Sequence, residues 1–221
     1  CIQEKIEVVG IADHGNVDAI DPIRDLFHRN GIVVFPGFEI CSSEKAHFVC
    51  LFPETTTKDE LNRYLGTLGM TDIEDGVRPS NLTGIDLLAK VKDLGGITFA
   101  AHVTTDSGVL FQKLQHIWTD SNLPAAQIPK TRDELNSEQT LKYYRILNNQ
   151  DPAYFREHPI AIINAKDVKR PEDIRNPTAS CLIRMTSPSF SSFKQAFLDP
   201  ESRVRLNSEV TEEHYSWIER I

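Results

Sequence analysis

The feature that most constrains this chain is the alternation of short, mainly apolar runs with segments of helical spacing. Residues 6–12 (IEVVGIA) form the first such run. Residues 16–29 follow, with Ile20, Ile23, Leu26 and Phe27 on one helical stripe and Gly31 just past its end. Residues 32–35 predict a second strand, broken by Pro36-Gly37, and residues 47–52 a third. Thr57 and Glu60 have capping-box spacing, which starts a helix running to about Leu68. Another helix is predicted from Thr83 to Leu94, stopped by Gly95-Gly96. Later strands are read at residues 97–101, 160–163 and 181–185, and a helix at 189–197. Between them, helical pieces at 111–118 and 137–147 are separated by a polar, proline-containing stretch. From Asp199 the apolar pattern thins, which suits a connector or a terminal strand. Strands alternating with helices, most of them buried-type, imply an α/β fold built on a parallel sheet. Periodicity does not say whether that sheet closes.

Composition limits the function classes. The formal charge of −8 over 221 residues argues against a basic face that grips nucleic acid through salt contacts alone. It leaves metal-dependent phosphate chemistry open, because carboxylate-bound cations can supply the positive field. No apolar run approaches the roughly 18 residues of a membrane helix, and no basic-then-apolar leader stands at the start. The chain opens at Cys1 and enters a strand-like run within a few residues, which reads as the interior of a longer gene product. The four cysteines form no CxxC pair and no disulfide framework. Cys50 and Cys181 lie in apolar runs as small core residues, and a reducing, cytoplasmic compartment is expected.

The chemistry is expected immediately after the strands. Asp13-His14 follows the first strand, Glu39 the second, His102 the strand at 97–101, and Asp167 the strand at 160–163. In parallel α/β folds the carboxyl ends of strands line one rim, where sites are built. His, Glu, His and Asp from four strands would then share that rim, and such a donor set suits Zn, Mn or Fe. Each residue alone also has a bland reading: Asp13 as a helix cap, Glu39 as a solvated carboxylate, His102 as a buried histidine. His47 begins a strand, so pattern alone gives it no role. His28, His116, His158 and His214 lack acidic company and read as surface or packing residues.

At these positions the sequence resembles the PHP (polymerase and histidinol phosphatase) domains. Residues 11–16 (IADHGN) resemble the family's TDHN motif, 36–40 (PGFEI) its PGxEI motif, and 46–49 (AHFV) the histidine after it. Residues 101–103 (AHV) resemble AHP, and 163–169 (INAKDVK) lie where the family has SDAH. Residues 189–206 are similar to the end of PHP domains fused to SMC-like or AAA-like ATPases. The resemblance covers essentially the whole chain. It implies a distorted seven-stranded β/α (TIM-like) barrel with metal ions at its rim, over residues 1–198, and a connector over 199–221 towards an ATPase. It makes His14, Glu39, His47, His102 and Asp167 metal ligands, Glu39 the bridge, and Asp13 a partner that orients a ligand. Glu39, His102, Asp167 and Lys169 would carry catalysis. The implied reaction is phosphoester hydrolysis with Mn, Zn or Fe, as a phosphodiesterase or nuclease in DNA repair or phage defence.

Two departures stand out. The family's opening HxH motif and its strand are absent from this sequence. Two or three ions are implied if they lie upstream, and fewer if they do not. Lys169 stands where a final histidine is expected, and a protonated ammonium cannot bind a metal. It contacts a substrate phosphate or is solvated. Expected partners are a phosphoester, nucleic acid first, and the ATPase in the same chain or complex; no membrane is expected, and a homo-oligomer is left open. The competing readings are an inactive PHP scaffold or sensor and a small-molecule phosphomonoesterase.

Overall fold

The computed structural model describes residues 1–70, 78–165 and 167–210. Lys166, His214 and the end of the expected connector lie outside the described residues. Six strands hydrogen-bond in chain order: β1 (Val8–His14), β2 (Val33–Cys41), β3 (His47–Leu51), β4 (Ile97–Ala100), β5 (Ala125–Gln127) and β6 (Ala161–Ile163). The pairs β1–β2, β4–β5 and β5–β6 are parallel. β3 runs antiparallel to both its neighbours, so the sheet is mixed rather than wholly parallel. Two further strands, β7 (Cys181–Ile183) and β8 (Val204–Leu206), form a separate antiparallel pair. The segment beginning at Asp199 thus contributes a strand, and Leu206 is fully buried in the main core.

The strands read as near-continuous apolar runs because both faces of the sheet are covered. Successive residues point to opposite faces. Phe38, Ile40, Phe48, Cys50, Ala100, Ala126 and Ile162 pack on one side. There they meet α2 (Lys58–Thr67) and α3 (Gly84–Asp93), through Leu61, Leu65, Leu87 and Val91. Phe35, Leu51, Ile97, Phe99, Ala125, Ala161 and Ile163 pack on the other. That face is filled by α6 (Phe190–Ala196), whose Phe193 ring lies 4.9 Å from Phe35 and 5.9 Å from Phe99. Among the described residues no helix is long and apolar enough to cross a membrane, and all four cysteines are free.

Several boundaries differ from the sequence reading. α1 spans Ile20–His28 and not 16–29, because Asn16 Oδ1 accepts the Asp18 N–H and holds that segment in a turn. Pro22 then falls in the first helical turn, where a missing N–H costs nothing. β2 is not broken at Pro36-Gly37. The Pro36 carbonyl accepts from Phe52 N, and a Cβ on Gly37 would stand 2.0 Å from the Cys50 carbonyl oxygen. Glycine lets the hairpin partner approach there, and the strand runs on to Cys41. β5 was not foreseen: Pro124-Ala-Ala-Gln lacks β-branched residues, yet Ala125 and Ala126 are wholly buried. The helical pieces shorten to α4 (Gln115–Trp118) and α5 (Leu141–Leu147), and Pro200–Arg203 adds a short α7.

The aromatic cluster under α6 supports the face of the sheet that also bears the strand-end polar residues. Phe193→Ala removes a nearly buried ring that meets four others. It is expected to cost about 3–5 kcal/mol, read as a lowered urea midpoint. A loss below about 1 kcal/mol would show that α6 does not brace the sheet.

Candidate metal centre

The polar residues that end the strands meet at one corner of the sheet. The last residue of β1 pairs near the end of β2, with His14 opposite Glu39. Both residues are therefore in the ladder itself, not in loops beyond it. Because β3 is antiparallel to β2, its first residue lies beside the end of β2, with His47 opposite Cys41. This explains why a histidine that begins a strand belongs with residues that end strands. β4 returns alongside β3, and Ala101 N donates to the His47 carbonyl, which delivers His102 to the same corner.

Three imidazoles converge on one carboxylate oxygen. Glu39 Oε1 lies 2.6 Å from His47 Nδ1, 3.4 Å from His14 Nε2 and 3.6 Å from His102 Nε2. The His47 ring is 5.9 Å from that of His14 and 5.1 Å from that of His102. Donor atoms of His14, Glu39 and His47 all fall within 4.8 Å of one another. Two ligands about 2.1 Å from a shared ion stand roughly 3–3.5 Å apart, so the His14 separation fits coordination geometry and that of His102 lies just beyond it. Glu39 is 8% exposed and His14 is the open side of the group, half exposed. Imidazole nitrogens with a carboxylate oxygen form a donor set for Zn, Mn or Fe.

The electrostatics reflect this packing. Burial disfavours the Glu39 carboxylate, but the adjacent His102 and His47 imidazoles, with the charges of His14 and His47, outweigh it and hold its pKa at about 2. The Cys41 thiol and the Glu39 carboxylate raise His47 to about 9, against the opposing effect of burial. Without metal, a proton on His47 holds the place between these two groups, and a cation must displace it.

His102 is held from its far side. Its φ is +29°, a sparsely populated backbone state for a residue with a Cβ. Thr105 Oγ1 lies 3.1 Å from His102 Nδ1 and also donates to the His102 carbonyl, which directs Nε2 towards Glu39. The turn closes on itself because Gly108 has no side chain: a Cβ there would be 2.4 Å from Val103 C and 2.5 Å from the His102 carbonyl oxygen. Thr105 and Gly108 were not singled out by the sequence reading. The signal that was available is a glycine and a hydroxyl within six residues of the histidine.

The other candidates lie apart from this group. Asp13 Oδ1 accepts the His14 backbone N–H and not an imidazole proton. Asp167 and Lys169 are exposed on the loop after β6. Lys169 N donates to Asp173 Oδ2, and neither residue's side chain is among the donor atoms gathered around Glu39. His28, His116 and His158 are exposed, in keeping with surface roles.

The Glu39–His47 pair makes stability depend on pH. A raised His47 stabilises fully below pH 6.5 and loses that contribution as pH climbs through about 9. A depressed Glu39 stabilises fully above pH 4.5 and loses its contribution as pH falls towards about 2. Chelator-treated protein is therefore expected to be most stable between pH 4.5 and 6.5, falling by about 1–3 kcal/mol on each side. Urea midpoints across pH 3–9 measure this. Glu39→Gln is expected to remove the acid limb and shrink the alkaline one.

No protein-family model and no curated protein matches the chain. Solved structures do. One is Endonuclease Q in complex with a 27-mer duplex substrate with an abasic lesion at the active site, at 17% identity and a TM-score of 0.57. The likeness covers 86% of this chain and 48% of that one. Another is a two-domain protein from Bacteroides vulgatus containing a predicted PHP-like metal-dependent phosphoesterase. It gives 13% identity and a TM-score of 0.53, over 90% of this chain and 55% of that one. The chain thus spans about half the length of each. At these identities the likeness is one of fold, and the fold is that of the PHP domains which the strand-end motifs resemble.

Proposed function

We propose that the protein is a divalent-metal-dependent phosphoesterase whose substrate is a nucleic-acid phosphodiester. The observation that carries this reading is the convergence of His14, His47 and His102 on one oxygen of the buried Glu39. Imidazoles gathered around one buried carboxylate form a donor set that suits a divalent cation. A divalent ion in this donor set supplies a Lewis acid that lowers the pKa of water and neutralises charge on phosphate oxygens.

The chain's own residues do the rest. Glu39 stays ionised at every working pH and so remains an acceptor at the centre of the group. His47 gives up its proton when the site loads. His14, half exposed, is the solvent-facing member of the group and is assigned to meet the incoming phosphate. Lys169, exposed on the loop after β6, is assigned to pairing with a phosphate oxygen, and Asp167 to supplying a further carboxylate at that rim. The acidic chain has no need of a basic face if the loaded site provides the positive charge. The duplex substrate of Endonuclease Q, whose fold this chain shares, supports a nucleic-acid substrate over a small phosphomonoester. Closure of the sheet into a barrel, and coupling to an SMC-like or AAA-like ATPase, belong to the same proposal; the resemblance of residues 189–206 supports the coupling.

A second reading, a PHP scaffold without catalysis, is favoured by one observation: Asp167 and Lys169 stand outside the ligand group. Metal content and turnover separate the two. The purified protein is expected to retain near-stoichiometric Mn, Fe or Zn by elemental analysis and to hydrolyse oligonucleotides with Mn²⁺ in preference to a phosphomonoester. Glu39→Gln and His102→Ala are each expected to lower that rate by about 10²–10³-fold. Full activity in both variants would refute the assignment, and a well-folded protein that takes up no metal would establish the scaffold. Lys169→Ala is expected to raise KM for the oligonucleotide with a smaller effect on kcat.

A further inference from the structure

The centre rests on a residue that contributes no atom to it. Gln127 ends β5, and its side chain is nine-tenths buried. Burying an amide is unfavourable unless both of its ends are bonded. Both are. Oε1 accepts the His102 backbone N–H at 2.8 Å, and Nε2 donates to the Ala165 carbonyl. The Gln127 backbone carbonyl also accepts Val103 N at 2.9 Å. One residue therefore spans the loops that follow β4 and β6. The first carries His102, and the second reaches Asp167 two residues beyond Ala165.

The His102 bond matters because of where it falls. At φ +29° the His102 peptide sits in a state that an unconstrained residue leaves. Its amide has no backbone acceptor, since the ladder between β4 and β5 ends with Ala100 opposite Ala126. The Gln127 amide takes the place of that missing ladder bond and keeps the turn in the one orientation that points Nε2 at Glu39. We infer that Gln127 is a positioning residue for the metal centre: it fixes the His102 peptide, and through Ala165 the root of the Asp167 loop, so that metal affinity depends on it. This rests on the metal-centre reading above, so the test has one arm that needs no metal.

The experiment uses the whole chain, wild type and Gln127→Met, which is nearly isosteric and removes both side-chain bonds. In chelator-treated protein, amide hydrogen exchange is followed at His102 and Val103. The His102 amide is expected to lose protection by at least about tenfold in Gln127→Met, while Val103, bonded to the Gln127 backbone, keeps its own. Co²⁺ is then titrated, reading affinity and the visible d–d spectrum. Gln127→Met is expected to bind about 10–100-fold more weakly, with an altered spectrum. Gln127→Glu retains an acceptor for His102 N–H and is expected to recover its protection and most of the affinity. Should Gln127→Met fail to fold, Gln127→Asn, one methylene too short to span both loops, is expected to show the same losses. Wild-type Co²⁺ affinity and spectrum in both Gln127→Met and Gln127→Asn, or an unchanged His102 amide, would overturn the inference alone. A wild-type protein that binds no Co²⁺ overturns the metal-centre reading, and the positioning role with it, even if the amide arm comes out as expected.

Discussion

One buried carboxylate organises this molecule. Glu39 lies near the end of a strand, between Phe38 and Ile40 of the main core, where an ionised group without partners would be strongly disfavoured. It is tolerated because three histidines from three other segments surround its outer oxygen. Each partner depends on a separate piece of fold: the parallel register of β1, the reversed direction of β3, and the tight turn after β4. Loss of any of these would leave the charge partly uncompensated. Stability and the capacity to hold a cation are therefore tied to the same contacts.

The reversal of β3 has the largest functional consequence. In a wholly parallel sheet only carboxyl ends of strands reach the functional rim. One antiparallel strand adds an amino end to that rim, and so His47 stands directly across from Cys41 and diagonal to Glu39. Gly37 and Gly108 make the geometry possible by omitting side chains where backbones approach closest. On the same face of the sheet, away from the rim, aromatic rings from α6 fill the space and hold the strands in register.

The proposed function reconciles an acidic protein with an anionic substrate. Phosphate recognition by lysine and arginine alone would leave a basic surface, which the charge of −8 does not suggest. A carboxylate ringed by imidazoles concentrates positive charge only where a cation is bound, and leaves the remaining surface free to be acidic. Likeness to an endonuclease and to a phosphoesterase-containing protein concerns the fold, and the chemistry is argued from the residues themselves.

Much of this was legible in the residues. Continuous apolar runs, stripes of helical spacing, capping residues such as Thr57 and Glu60, and the His and Glu placed beside strand ends are local patterns, and they identified most elements, Glu39 itself and two of the three histidines now seen around it. Local patterns could not reveal β5, whose alanines are buried by their neighbours and not by any preference of their own. Nor could they extend β2 through Pro36-Gly37, because the reason is a carbonyl contributed by another strand. The sequence by itself determined which side chains could bind a cation. The tertiary structure decided that His47 joins them, that Asp167 and Lys169 stand apart, and that Thr105 and Gln127 hold His102. Strand direction, loop closure and burial are set by contacts between distant residues, and a sequence records such contacts only indirectly.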